Sequence, residues 1–241
     1  MGYVILLAGA SGAIGRRLLP LLSAAGHHVI GTTRSTEKFA DLRALGAEPV
    51  AVDVFDATAL SQVVRSVQPR IVIHQLTDLP MGLEPSRMAE AVVRNARIRE
   101  EGTRNLMTAA AAAGAHRVVA QSIAWAYAPG PEPHQEDDPL DLGAVGSRAV
   151  SVRGIAALEH STLHAPPLAG VVLRYGRLYG PGTGVDAAAG PIPLHVDAAA
   201  YAALLSIDKG APGIFNIVEP NVHVATEKAA AQLGWRADFR L

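Results

Sequence analysis

Gly9, Gly12 and Gly15 are spaced three apart and follow directly on the apolar run Val4-Ile5-Leu6-Leu7-Ala8. A strand that ends in glycines of this spacing and then enters a helix can hold a pyrophosphate. The glycines let the backbone approach the phosphates, and the helix start presents free N–H groups and the positive end of its dipole. Gly9, Ser11, Gly12, Ala13, Ile14, Gly15 and Arg16 are therefore the candidate phosphate contacts.

The second candidate cluster concerns the sugar of such a dinucleotide. An acidic residue about 20 positions past the glycines holds the ribose 2′-hydroxyl of NAD. No Asp or Glu occurs between Gly15 and Ser35, and Arg34 stands near the expected place, with Arg16 just after the last glycine. Cations without a competing carboxylate suit a 2′-phosphate. The pattern predicts NADP, with NAD as the alternative; the plain reading is that both arginines are solvated. Asp53 and Val54, after the apolar run 48–53, are candidates to receive an adenine amino group and its ring, or else Asp53 caps the next turn. His74, after the run 70–75, is placed beside the cofactor as a satisfied histidine and not as a base.

The elements that must position these groups follow from the alternation of short apolar runs with helix-length segments. Strands are expected at 3–8, 28–33, 48–53, 70–75, 117–122, 170–175 and 213–218. Helices are expected near 13–25, 36–45, 57–67, 84–114, 144–164, 197–209 and 223–233. Such βαβ alternation predicts an α/β fold, a Rossmann-type doubly wound parallel sheet of about seven strands. Ile14, Leu18, Leu21, Leu22 and Ala25 give the first helix one apolar face, which Pro20 is expected to weaken or kink unless packing compensates. The proline-rich acidic segment 128–143 and the glycine-rich segment 180–195 both follow strand ends, where open sheets bind ligands. With 219–241 they form the expected substrate side of a single domain spanning 1–241.

Composition narrows the function classes. The net charge of −1 gives no field for nucleic acid or an anionic membrane. The chain has no cysteine, so disulfides and thiolate zinc sites are excluded, in keeping with a cytoplasmic setting. No run reaches the length of a membrane span, and the first apolar run reads as a buried strand and not a signal peptide. The histidines show no metal spacing. Only three lysines occur, Lys38, Lys209 and Lys228, against eighteen arginines.

Taken together, the chain resembles the extended and atypical short-chain dehydrogenase/reductases, the NAD(P)-dependent epimerase/dehydratase group. The resemblance rests on the three glycines, Glu101-Gly102-Thr103-Arg104-Asn105-Leu106, Leu173-Arg174-Tyr175-Gly176-Arg177-Leu178-Tyr179-Gly180-Pro181-Gly182, His195-Val196-Asp197 and Ile214-Phe215-Asn216-Ile217. It implies a tyrosine acid/base, a lysine four residues on, a serine or threonine that polarises substrate, and a supporting asparagine. Glu159 fits the group's glutamate beyond the lysine, which puts the tyrosine position on Ser151 and the lysine position on Ile155. No Tyr-x-x-x-Lys occurs in the chain, Arg99 stands at the asparagine position, and Arg177 replaces a further asparagine in the turn after the sixth strand.

Ser122 and Tyr127 are the remaining catalytic candidates. Ser122 closes the fifth strand, although alignment on Tyr127 moves the serine position to Ile123. Tyr127 is the candidate alternative acid, and Arg148 or Arg153 the candidate substitute for the lysine's charge. The expected function is an NADP(H)-dependent oxidoreductase or epimerase-like enzyme acting on a small carbonyl or hydroxyl substrate. The alternative is an NADP(H)-binding sensor without redox catalysis. The segment after the sixth strand is short, so the substrate is expected to be smaller or less polar than a sugar nucleotide. A homodimer through the long helices 84–114 and 144–164 is the implied assembly.

Overall fold

The computed structural model describes residues 2–241, apart from the side chain of Met81. Seven parallel strands form one sheet in the order β3-β2-β1-β4-β5-β6-β9. These are β1 (Val4–Ala8), β2 (His28–Thr33), β3 (Ala47–Ala51), β4 (Ile71–His74), β5 (Arg117–Ile123), β6 (Ala169–Tyr175) and β9 (Gly213–Ile217). The order reverses at β1, so β1 and β4 flank the crevice where a doubly wound sheet takes its ligand. In register, Leu7 lies beside Gly31 on one side and Ile73 on the other.

Helices cover both faces. On one lie α1 (Ala13–Ala24), α2 (Phe39–Ala44), α7 (Val196–Leu205) and α8 (Glu227–Leu233). Their shared core includes Ile5, Leu7, Leu18, Leu22, Leu173 and Phe215. On the other lie α3 (Ala57–Val67), α4 (Met88–Arg97), α5 (Thr103–Ala112) and α6 (Gly146–Leu163). The core beneath α3 and α5 includes Leu6, Leu60, Val64, Val72, Leu106 and Val118. Alternate residues of the buried strands feed opposite cores, as a sheet covered on both faces requires.

The seven expected strands are all present, and differences lie at element ends. β3 stops at Ala51, so Asp53 lies in the following turn. The expected helix 36–45 opens as a 3-10 turn, Thr36–Lys38, before α2. The expected helix 84–114 is α4 and α5 joined by a π-helical turn, Ile98–Gly102, and preceded by a 3-10 turn at Pro85–Arg87. The last helix begins only at Glu227. α1 runs unbroken through Pro20, with Leu18, Leu19 and Leu22 fully buried around it. That packing offsets the hydrogen bond the proline cannot make. Two short strands have no counterpart in the sequence reading. β7 (Arg177–Tyr179) and β8 (Pro193–His195) pair in parallel and close off the loop between them. Three residues are too few to show a period.

Candidate functional site

The glycine turn connects β1 to α1 through backbone alone. Gly9 has φ +90°, and a Cβ there would lie 2.5 Å from the Gln75 carbonyl oxygen. A Cβ on Gly15 would lie 2.4 Å from the Gly9 oxygen. These two glycines fix the approach of β1, β4 and α1. Gly12 is different: it is exposed, caps α1 without a side-chain hydrogen bond, and a Cβ there would meet only the Gly9 oxygen at 3.3 Å. Its open side faces the first-turn amides, which a helix leaves without internal partners. The donor set therefore fits a pyrophosphate. Two loops approach this turn. A Cβ on Gly182 would come within 3.9 Å of the Ala13 Cα, and one on Gly184 within 2.3 Å of the Gly82 Cα. The segments leaving β4 and β7 thus meet backbone to backbone beside the helix start.

Cations ring the neighbouring edge. Arg34 extends from the end of β2, exposed, with its closest carboxylate, Asp78, at 3.8 Å. Lys38, on the 3-10 turn before α2, places its ammonium 3.4 Å from the Ser11 hydroxyl. Arg16 instead leans toward Asp41 of α2, 3.3 Å away. Asp53 is exposed and accepts the Phe55 N–H at 3.0 Å through one oxygen. Val54 is buried, with its carbonyl held by Asn105 at 3.0 Å.

The far end of the crevice is built differently. The Ser122 hydroxyl donates to Glu159 at 2.7 Å, and Arg174 grips the same carboxylate through two nitrogens at 2.9 and 2.7 Å. All three are buried. Burial alone would lower the Arg174 pKa, but the hydrogen bond and charge of Glu159 raise it above the ordinary arginine value. The Tyr127 hydroxyl donates to Asn216 at 2.6 Å, and its ring stacks on His134 with Arg174 over one face. Burial raises its pKa. Glu136 accepts the Asn216 N–H at 3.0 Å and its carbonyl accepts from Arg174. The segment 128–143 is thereby pinned to β6 and β9, and Glu136 works as a clamp inside it. His134 pairs with Asp138.

The two hydroxyls expected to be catalytic, those of Ser122 and Tyr127, both donate into this buried network. What faces the end of β5 is apolar. Ile155 is fully buried in a cluster with Val152, Ala126 and the half-buried Ile123. Trp125 follows, with Arg177 5.7 Å from its ring centre. Arg148 holds Asp141 and the carbonyls of Trp125 and Tyr127, and Arg153 is exposed, so neither takes the lysine's place. Tyr175 is sealed in the core, where burial raises its pKa, and donates to the Ala199 carbonyl.

A model of the NAD dependent epimerase/dehydratase family matches residues 5–217. The chain belongs to that family. A 3-diazoavenalumate denitrifying reductase from a Streptomyces species is 40% identical over 237 residues, covering 89% of this chain and 75% of the relative. Among solved structures, UDP-glucose 4-epimerase of Thermotoga maritima, crystallised with UDP-glucose, superposes with a TM-score of 0.77. It shares 16% identity and covers 98% of this chain and 94% of its own. The Bordetella bronchiseptica enzyme WbmG in complex with NAD gives a TM-score of 0.73 at 20% identity, covering 100% of this chain and 91% of its own. These structures share the Rossmann-type fold.

Within this family member, two further motif residues have structural duties. His74 has no solvent exposure; its Nδ1 accepts the Leu76 N–H at 3.2 Å, which leaves Nε2–H to donate to Thr103 at 2.9 Å. Burial, with Arg99 nearby, lowers its pKa to about 4. The ring is neutral and both its nitrogens are partnered, as expected of a satisfied histidine and not a base. His195 caps α7 by accepting the Asp197 N–H, while Asp197 pairs with Arg17 of α1. Lys38 is the residue the sequence reading passed over; its place four positions past Arg34, on a turn facing the glycine loop, is the signal. Among the described residues no group of three acidic or histidine side chains could hold a metal. No helix among them is long and apolar enough to cross a membrane.

Proposed function

We propose that this chain is an NADPH-dependent reductase of a small carboxylate whose reducible group needs no proton from the protein. A diazo carboxylate is the substrate class that fits best. The observation that carries this reading is the pairing of a complete phosphate-binding end with Ile123, Ser151 and Ile155 where a proton relay would stand. A carbonyl cannot accept a hydride without an acid near its oxygen. A diazonium can: the C–N bond breaks, a C–H bond forms, N₂ leaves, and the hydride neutralises the positive charge. The name of the Streptomyces relative, a denitrifying reductase of a diazo carboxylate, supports the same substrate class.

Gly9, Gly12, Gly15 and the first-turn amides of Ala13 and Ile14 would hold the pyrophosphate, and Asp53 with Val54 the adenine. Arg34 and Lys38, with the Ser11 hydroxyl, would hold the 2′-phosphate. Bound there, the cofactor would supply a hydride. The apolar lining by Ile123 and Trp125 would keep water from the substrate. We extend the reading to a homodimer through the outer faces of α4, α5 and α6, where Val93 is 60% exposed; light scattering would show twice the chain mass.

The test follows NADPH absorbance and N₂ release with 4-carboxybenzenediazonium, alongside a panel of aldehydes and ketones. Equal amounts of NADPH consumed and N₂ released, with the panel inert, is the expected result. Turnover of the panel without the diazonium would overturn the substrate class. Tight NADPH binding with no turnover of either would favour a nucleotide sensor.

A further inference from the structure

Arg99 is only 8% exposed, yet among the described residues its guanidinium has no hydrogen bond and no carboxylate partner. Nothing offsets its burial, which lowers its pKa to about 10 and leaves it charged. An arginine buried without a partner is costly to the free protein, so a ligand that supplies the partner would be strongly held.

The direction of the side chain follows from its neighbours on the helix. Asn95, four residues before, accepts the Asp78 N–H at 3.2 Å. Thr103, four residues after, meets His74 at 2.9 Å. Both flanking residues therefore face the end of β4 and the loop that leaves it. Arg99 sits between them on the π-helical turn Ile98–Gly102, a distortion that recurs at functional sites. The groove on the outer side of α4 and α6 is lined by Ala96, Glu100 and Val150 among others, but not by Arg99. The guanidinium is not sealed off either. Among the described residues the side-chain atoms shut away from solvent without a partner all belong to Gln75, so the nitrogens of Arg99 still touch open space. The contacts of Asn95 and Thr103 set that space toward the end of β4 and the loop that leaves it. α6 packs along the same π-helical turn, held close where a Cβ on Gly154 would come within 3.0 Å of the Ala96 Cα. Ser151, one turn of α6 earlier, is buried there.

We infer that Arg99 is the substrate-anchoring residue of this crevice and binds a carboxylate on the substrate. A guanidinium matches a carboxylate through two parallel N–H donors, and the charge is fixed because arginine does not titrate in the working range. The inference rests on the reading of the substrate as a small carboxylate. Ile123 at the end of β5, half-buried against Ala126, Val152 and Ile155, gives an apolar surface that suits a hydrocarbon body attached to that carboxylate.

The test is calorimetric titration of the NADPH-loaded full chain with trans-cinnamate and, as its neutral counterpart, trans-cinnamamide, in wild type, Arg99→Gln and Arg99→Lys. Wild type is expected to bind cinnamate at least about tenfold more tightly than cinnamamide. Arg99→Gln is expected to lose that preference, and Arg99→Lys to keep part of it. All three should bind NADPH within about twofold of one another, and Arg99→Gln should melt at or above the wild-type temperature without ligand, since a buried unpaired charge has been removed. Failure of wild type to bind NADPH would instead sink the reading of the cofactor end. With NADPH bound, the inference is overturned by any of three results: no cinnamate binding by wild type, equal binding of acid and amide, or undiminished cinnamate binding by Arg99→Gln. A tenfold loss of NADPH affinity in Arg99→Gln would also overturn it, by assigning the guanidinium to a cofactor phosphate.

Discussion

At the β1–α1 end of the crevice the polar groups point outward and lack firm protein partners, whereas at the β5–α6 end they point inward and are consumed. Gly12 caps α1 without a side-chain hydrogen bond, Arg34 is 3.8 Å from its nearest acid, and Lys38 lies 3.4 Å from a serine hydroxyl. By contrast Ser122, Glu159, Arg174, Tyr127, Asn216 and Glu136 form one buried set of hydrogen bonds. Unsatisfied donors at a surface are ready for a ligand, while satisfied ones in a core specify the fold.

The largest effect that would sharpen this contrast comes from Glu159→Ala. It leaves Arg174 buried and unpaired, at an expected cost of about 3–5 kcal/mol. A melting temperature lower by roughly 6–20 °C is expected, read by circular dichroism. A loss under about 1 kcal/mol would break the claim that this end is structural.

Next comes the buried His74. Its pKa is depressed in the folded chain, so below the ordinary histidine value the unfolded state binds a proton that the folded state refuses. Stability should therefore fall as pH drops from about 6.5 to about 4, by an amount of order 3 kcal/mol in urea melts. A His74→Gln variant, which cannot titrate, should show a flatter profile over that window; an unchanged slope would contradict the assignment.

At the other end, replacing Arg34 and Lys38 together by alanine should weaken NADPH binding about 10- to 100-fold while moving NADH by less than about threefold. Equal losses for both nucleotides would remove the 2′-phosphate from the account. The smallest effects are expected from Ser122→Ala and Tyr127→Phe. Each should cost about 1 kcal/mol of stability through a lost hydrogen bond and leave kcat within about twofold. A hundredfold fall in kcat with unchanged stability would return either hydroxyl to the chemistry.

Much of the fold is legible in the sequence because its strands are short Val/Ile/Leu runs buried on both faces, and its first helix is amphipathic. The glycine turn is legible for the same reason: Gly9 and Gly15 are forced by close approach that any Cβ would block. The π-helical turn at Ile98–Gly102 is not, since it depends on how α4 and α5 are drawn against α6. Nor are β7 and β8, whose pairing is a tertiary event. At the site, the place of Arg34 just past β2 can be read from its distance past the glycines. The hydrogen bonds of Ser122 and Tyr127 cannot, because a hydroxyl at a strand end is equally suited to a substrate or to Glu159 and Asn216. Their partners lie 37 and 89 residues away in the chain. Arg99 is visible as an oddity in sequence, but its missing partner is a fact of packing.

The most direct measurement of the central claim is the solvent isotope effect on single-turnover NADPH oxidation by 4-carboxybenzenediazonium. If no protein group delivers a proton in the hydride step, the rates in light and heavy water should agree, with a ratio of about 1. A ratio above about 2 would place a proton in flight in that step and contradict the account.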